Sequence, residues 1–467
     1  MAVDAGPLLW SVCGVEMKRV AVINVVGLTR GLVGGRAPRL AAFFEEGGVR
    51  GVRPVLPAVT CSAQATYLTG LAPSEHGIVG NGWYDRELAE HHFWKQSNHL
   101  VGGEKIWEVL KARHGDGFTC AKLFWWYNMY SSADWTITPR PMYPADGKKV
   151  FDVYTQPMGM REEVKADLGD FPFPAFWGPG AGIGSSRWIA ASAKWVEEKK
   201  SPTLSLVYLP HLDYDLQRFG SAGEGKALGE IDGLFGELLD FYTKRGVEVV
   251  VVSEYGITDV DRPVALNREF RKRGWFTVKD ELGLEMADLG ASKVFAIADH
   301  QVAHVHVNDV SLLGEVKAML EGVDGVEQVL DGEGKREAGV DHARSGELVV
   351  VADSRSWFSY YYWLDDAVAP DFARCVDIHR KIGYDPAELF LDPSLCCPKL
   401  KVGWSLVKKK LGMRMLMDVI PLDASLVAGS HGRVPEDEGD WPVLAGAGGG
   451  EVLEATGVFG ELLKLWE

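Results

Sequence analysis

What this sequence lacks narrows the field first. No apolar run approaches the roughly 18 residues of a membrane-spanning helix, and the longest, VAVINVVGL and VEVVVVS, have the length of buried strands, so no transmembrane segment is expected. Cysteine is scarce. Cys13, Cys61, Cys120, Cys375, Cys396 and Cys397 form no CxxC pair and no disulfide framework, which fits a reducing, cytoplasmic home. Positive charge is short as well: 49 Lys plus Arg against 65 Asp plus Glu leave a formal charge of −16, which disfavours a nucleic-acid polymer or an anionic membrane as the main partner. The leading MAVDAGPLLWSVCGVEM has neither a basic leader nor a small-x-small cleavage site, and Met17, followed by Lys18 and Arg19, is an alternative start to Met1.

What is present is a globular composition, 46% apolar and 24% charged over 467 residues, enough for two or three structural units. Apolar runs at Val20–Val26, Thr203–Leu209, Val247–Ser253 and Ala424–Ala428 read as buried strands, with patterned helices such as Ala227–Arg245 between them. This alternation predicts an α/β fold with a doubly wound, mostly parallel sheet. Ligands in such sheets collect beyond the carboxyl ends of the strands, where the sequence puts Asn24, His211, Asp213, Asp215, Glu254, Tyr255, Ser430 and His431. The core is expected over residues 17–290 and 420–467, with an aromatic cap excursion at about 125–180 and an inserted α+β cap over 291–419.

The most specific segment is PAVTCSAQATYLTGLAPSEHGIVGN, Pro57 to Asn81. It resembles the nucleotide pyrophosphatase/phosphodiesterase branch of the alkaline phosphatase superfamily at Thr60, Thr66, Thr69, Gly70, Pro73 and His76 through Asn81. The resemblance implies that superfamily's α/β fold and a covalent phospho-enzyme intermediate on Thr60. A threonine opening a helix faces its positive end, where a phosphoryl group is at home, yet its hydroxyl attacks poorly unless a metal or a base activates it.

The resemblance implies two metal sites, Asp213, Gln217 and His431 forming one, and Thr60, Glu254, Tyr255 and Val26 the other. Several positions depart from the family pattern. Gln217 stands where a histidine is usual, Val26 replaces an aspartate, Glu254-Tyr255 replaces Asp-His, and Ala63-Gln64 replaces Asn-His. One divalent metal (Zn, Mn, Mg or Fe) is therefore favoured over two, held by Asp213, His431, Glu254 and Gln217, with Asn24, His211 and Asp215 as reserve ligands. Glu254 is also a candidate base.

Asn81, Trp125, Trp126, Tyr127 and Tyr255 are the candidate substrate contacts, the aromatic ones because a flat leaving group can stack on them. The histidines of DHQVAHVHV, His300, His304 and His306, alternate along a strand-like stretch and read mainly as structural, with a reserve role as metal ligands. The basic, partly amphipathic stretch Lys399 to Asp423 reads as a solvated helix, with attraction to a phosphate or an anionic membrane surface as the alternative. The reading that results is a metal-dependent hydrolase of a phosphodiester, pyrophosphate or related ester of a small phosphorylated metabolite. The alternatives are a degenerate relative that binds a ligand or partner, and a phosphonate or sulfate ester hydrolase.

Overall fold

The computed structural model describes residues 17–146, 148–413 and 415–467. The expectations about Met1 and the N-terminal leader fall outside them. Arg19–Val25 lies at the centre of a nine-stranded sheet, parallel to Leu204–Leu209 on one side and to Val247–Val252 on the other. The three strands are buried almost throughout, which is why they read as unbroken apolar runs rather than as alternating patterns. Beyond Leu204–Leu209 come Cys120–Leu123, Trp135–Pro139 and Val153–Gln156; beyond Val247–Val252 come Val443–Ala445, Val49–Arg53 and Leu453–Glu454. The sheet is thus mostly parallel, with Val443–Ala445 antiparallel to both its neighbours and Val153–Gln156 antiparallel to its inner one. Helices Ile183–Lys200 and Glu224–Lys244 pack on each other and on this sheet, while Gly457–Leu463 packs on Thr60–Thr69 and Ile106–His114.

Two sequence expectations need correction. Trp135–Pro139 and Val153–Gln156, inside the stretch read as an aromatic excursion, are strands of the central sheet. Buried Thr136 and Thr138 interrupt the apolar signal of the first, and the second is only a short edge strand. Ala424–Ala428 is not a strand either. The Asp423 carboxylate accepts from Ser425 N at 3.0 Å and turns Ala424–Leu426 into a 3-10 segment, leaving Gly429–Ser430 to pair with Thr258–Asp259.

A separate antiparallel sheet holds Val294–Asp299, Val302–Val307, Leu348–Ala352 and Val326–Leu330 in that spatial order, with helix Leu313–Glu321 packed against the last of them. The tight turn between its first two strands carries His300 at φ +60°, a left-handed conformation uncommon outside glycine. That turn is where the second sheet reaches the carboxyl edge of the first.

Candidate active site

Thr60 opens helix Thr60–Thr69 directly after extended Val59, so the first backbone N–H groups of the helix lack intrahelical partners. Every residue of this helix is buried. Asn81 fastens its start: the side-chain oxygen accepts from Cys61 N at 3.0 Å, while Asn81 N and Nδ2 donate to the Asp299 carboxylate at 2.7 and 3.1 Å. His76 pairs with Thr66 Oγ1 at 3.0 Å and accepts from Ile78 N at 3.0 Å. The HGIVGN run therefore holds the helix in place, and Asn81 acts through Cys61 and Asp299.

A chain of hydrogen bonds leads away from the Thr60 hydroxyl. Thr60 Oγ1 lies 3.2 Å from the Tyr255 hydroxyl, which donates to Asp213 Oδ1 at 3.1 Å. Asp213 Oδ2 accepts from Gln217 Nε2 at 2.7 Å, one turn later on helix His211–Phe219, and Gln217 Oε1 accepts from Tyr384 at 2.9 Å. Burial pushes the Asp213 carboxyl up to about 6, against the lowering effect of its Gln217 and Tyr255 donors.

Glu254 is deeper. It is fully buried, and its Oε1 accepts from Asn24 Nδ2 at 2.6 Å and from Gln64 Nε2 at 2.5 Å. Burial pushes its carboxyl up to about 8, against the lowering effect of its Gln64 and Asn24 donors. Gln64 Oε1 in turn accepts from Trp126 N at 2.7 Å, which ties the aromatic wall to this buried layer.

Two histidines complete the centre. His431 Nδ1 donates to Ala58 O at 2.8 Å, and His300 Nδ1 donates to Asp299 Oδ1 at 2.8 Å. Each ring therefore turns an unprotonated Nε2 away from its anchor, and burial holds both pKa values well below the ordinary range. The His300 ring stacks between Tyr384 and His431, at centroid distances of 3.7 and 3.8 Å.

Thr60, Asp213, Gln217, Tyr255, His300 and Tyr384 lie at the floor of a pocket walled by Trp94, Trp126, Trp177, Tyr214 and Phe176, with Arg140 and Lys149 also in its lining; the expected ligands Glu254 and His431 are not part of that lining. Tyr384 comes from a loop locked by a buried ion triad: Lys381 Nζ meets Asp385 Oδ2 at 2.6 Å and Glu388 Oε1 at 2.7 Å. Glu388 also accepts from Trp177 Nε1 at 2.5 Å, so one carboxylate positions both the loop and an aromatic wall.

Of the expected substrate contacts, Trp126 and Tyr255 line this pocket, as do Thr60, Asp213 and Gln217. Trp125 and Tyr127 do not; they pack into hydrophobic clusters instead. His211 pairs with Glu230 at 2.9 Å and Asp215 with Arg218 at 3.1 Å, so neither reserve ligand joins the centre. His304, bonded to Val79 O and Gly346 N, is structural, whereas His300 belongs to the site.

The donor set does not fit the divalent metal that the resemblance implies. Both oxygens of Asp213 and the oxygen of Gln217 each accept one hydrogen bond from an O–H or N–H group, and Gln217 and Tyr255 stand where the resemblance implies histidine ligands. His431 Nε2, without a hydrogen-bond partner among the described residues, is 3.9 Å from Asp213 Oδ1, with its ring face against Tyr255. Among the described residues no three His, Cys, Asp or Glu side chains converge to hold a metal ion.

A mostly parallel sheet, a threonine at a helix start above its carboxyl edge and an inserted antiparallel sheet together define the α/β frame of this site. The model of the type I phosphodiesterase / nucleotide pyrophosphatase family matches residues 20–385, and the chain belongs to that family. It is 24% identical over 237 residues to human ectonucleotide pyrophosphatase/phosphodiesterase family member 1, a stretch that is 48% of this chain and spans only 21% of that protein. Murine ectonucleotide pyrophosphatase/phosphodiesterase 5, solved as an inactive form with AMP, superposes with a TM-score of 0.56 at 14% identity, covering 96% of this chain and 95% of that one. Phosphonoacetate hydrolase from Sinorhizobium meliloti, solved with phosphonoformate, gives a TM-score of 0.60 at 14% identity, covering 97% and 96%.

Proposed function

We propose that the chain hydrolyses a phosphodiester, pyrophosphate or related phosphoryl ester of a small metabolite that carries a flat ring, with Thr60 as the attacking group. The observation that carries this reading is the Thr60 hydroxyl itself. It sits at the start of a buried helix, on the floor of an aromatic pocket, hydrogen-bonded through Tyr255 to Asp213.

In the attack, the bond from Thr60 Oγ to phosphorus forms and the bond from phosphorus to the leaving oxygen breaks. The Thr60 proton passes to the Tyr255 oxygen while the Tyr255 proton passes to the Asp213 carboxylate, a base chain in the position where relatives would use a cation. The helix start offers partial positive charge to the phosphoryl oxygens. The leaving group stacks among Trp94, Trp126 and Trp177. Water then cleaves the phosphothreonine. AMP in one structural neighbour and a phosphonate in another support a small phosphorylated ligand.

The test is Thr60→Ala against a panel of p-nitrophenyl phosphodiesters and dinucleotide pyrophosphates, with AMP binding followed by calorimetry. Turnover that disappears in the variant while AMP affinity persists supports the reading. Turnover unchanged in Thr60→Ala overturns it. AMP binding without turnover by either protein supports the second reading, a ligand-binding descendant, which Gln217 and Tyr255 in place of the histidine ligands implied by the resemblance favour.

A further inference from the structure

The helix Pro398–Lys410 is seated the opposite way from an ordinary surface helix. Leu400, Trp404, Val407 and Leu411 follow one another at spacings of four, three and four, and Leu411 N still bonds Val407 O at 3.0 Å, so the four form a single stripe. That stripe faces water: the residues are 72%, 60%, 46% and 69% exposed. The helix rests on the body through other residues, with Ser405 buried and Lys401 Nζ bonded at 2.8 Å to Asp418. Met413 and Leu416, 55% and 45% exposed, prolong the apolar surface beyond the helix.

The charge of this segment runs against that of the chain. From Pro393 to Met417 there are Lys399, Lys401, Lys408, Lys409, Lys410 and Arg414 and no acidic residue, within a protein of net charge −16. Lys399 and Lys410 are exposed, and Lys408 Nζ lies 5.9 Å from the centroid of the Trp404 ring. An outward apolar stripe with one tryptophan and flanking lysines is the pattern of a helix lying in a lipid–water interface, its lysine stems reaching up to the headgroups. No helix among the described residues is long and apolar enough to cross a membrane, so the contact is peripheral.

We propose that the stripe Leu400, Trp404, Val407 and Leu411 docks this protein on an anionic lipid surface, its lysines pairing with the headgroup charges. The acidic body is repelled by the same surface, which orients the molecule with this segment down. The segment leaves and rejoins the body where Asp392 N bonds Val419 O at 2.8 Å and Ile420 N bonds Arg374 O at 2.9 Å. The loop of Arg374 continues through Val376, Ile378 and His379, which line the aromatic pocket. The inference is independent of the hydrolysis proposed above.

The experiment is co-sedimentation of the full chain with phosphatidylcholine vesicles, with and without phosphatidylglycerol, at low and high salt. The variants are Leu400→Glu with Trp404→Glu, and Lys399→Ala with Lys410→Ala, all exposed positions whose folding is checked by circular dichroism. The wild-type protein is expected to pellet only with phosphatidylglycerol vesicles and to be released by salt. The glutamate pair abolishes binding, and each lysine removed weakens it about fivefold. Failure to bind phosphatidylglycerol vesicles, or equal binding by the glutamate variant, overturns the proposal. A dimer seen by sedimentation velocity that the glutamate pair disrupts, without lipid binding, also overturns it and assigns the stripe to a second copy.

Discussion

Tyr255 lies flat on His431, with ring centroids 3.5 Å apart and planes 6° from parallel. The stack fixes the direction of the phenol, and its hydroxyl ends between Thr60 and Asp213, at 3.2 and 3.1 Å. A hydrogen-bonding group thus stands where the family resemblance puts a metal-binding histidine. The chemistry of the site turns on whether this hydroxyl does the work of a cation.

Tyr255→Phe keeps the stacked ring and removes only the hydroxyl. The turnover number is expected to fall about 100-fold or more, the usual size of a general-base contribution, with a small change in KM. In the wild type the rate should rise with pH through about 6, as Asp213 loses its proton and becomes able to accept one. Steady-state kinetics on a phosphodiester across pH checks both, and an unchanged turnover number in the variant would remove Tyr255 from the mechanism.

Metal removal should have no effect. With Gln217 and Tyr255 where the resemblance implies histidine ligands, and no three His, Cys, Asp or Glu side chains converging among the described residues, protein purified without chelator is expected to carry no stoichiometric Zn, Mn, Mg or Fe and to keep its activity in EDTA. Elemental analysis reads this directly. About one metal per chain, lost in an Asp213→Ala plus His431→Ala variant, would restore the metal-dependent reading.

Glu254 ties stability to pH. Its carboxyl is raised from 4.5 to about 8 in the fold, so its contribution to stability is full below 4.5 and is lost as pH rises through about 8. Glu254→Gln mimics the protonated acid and escapes this loss. Its advantage over wild type in thermal unfolding should grow across that window, to the order of 4 kcal/mol. Parallel Tm curves for the two proteins would show that Glu254 is ionised in the folded state.

The Lys381 triad holds the loop that delivers Tyr384. Lys381→Met leaves Asp385 and Glu388 facing each other without their cation, which should cost about 3–5 kcal/mol in urea unfolding. Lys381→Met combined with Asp385→Leu and Glu388→Leu removes the uncompensated charges and should recover much of that loss. No recovery would mean that the loop depends on the Trp177–Glu388 bond rather than on charge balance.

Trp126→Leu tests the aromatic wall. The variant is expected to raise KM about 2- to 10-fold for esters with a ring in the leaving group and to leave alkyl esters nearly unchanged. Equal effects on both classes would point to a general loosening of the pocket instead.

Much of this arrangement was legible in the sequence, and the limits of legibility have physical reasons. Thr60 and the HGIVGN run could be read because helix start, turn and capping asparagine lie within one short segment, so spacing along the chain is spacing in space. Asp213 and Gln217 share a helix face four residues apart and could be paired for the same reason. His300 could not be told from His304, because both lie in one strand-like stretch and only the turn geometry sends His300 into the site. Tyr384 carried no signal, since a buried ion triad and not local pattern delivers it.

The sequence alone determined the three central strands, the helix that opens on Thr60 and the replacement of the family's usual ligands, because strand runs, helix starts and residue identities are local properties. Tertiary structure alone decided what the replacements do. Tyr255, the helix that carries Asp213 and Gln217, and the loop of Tyr384 are distant in the chain, and only folding brings their donors and acceptors within hydrogen-bond reach. The same holds at the surface. Composition reported an acidic protein, but only the seating of helix Pro398–Lys410 turned its apolar stripe and its lysines outward together.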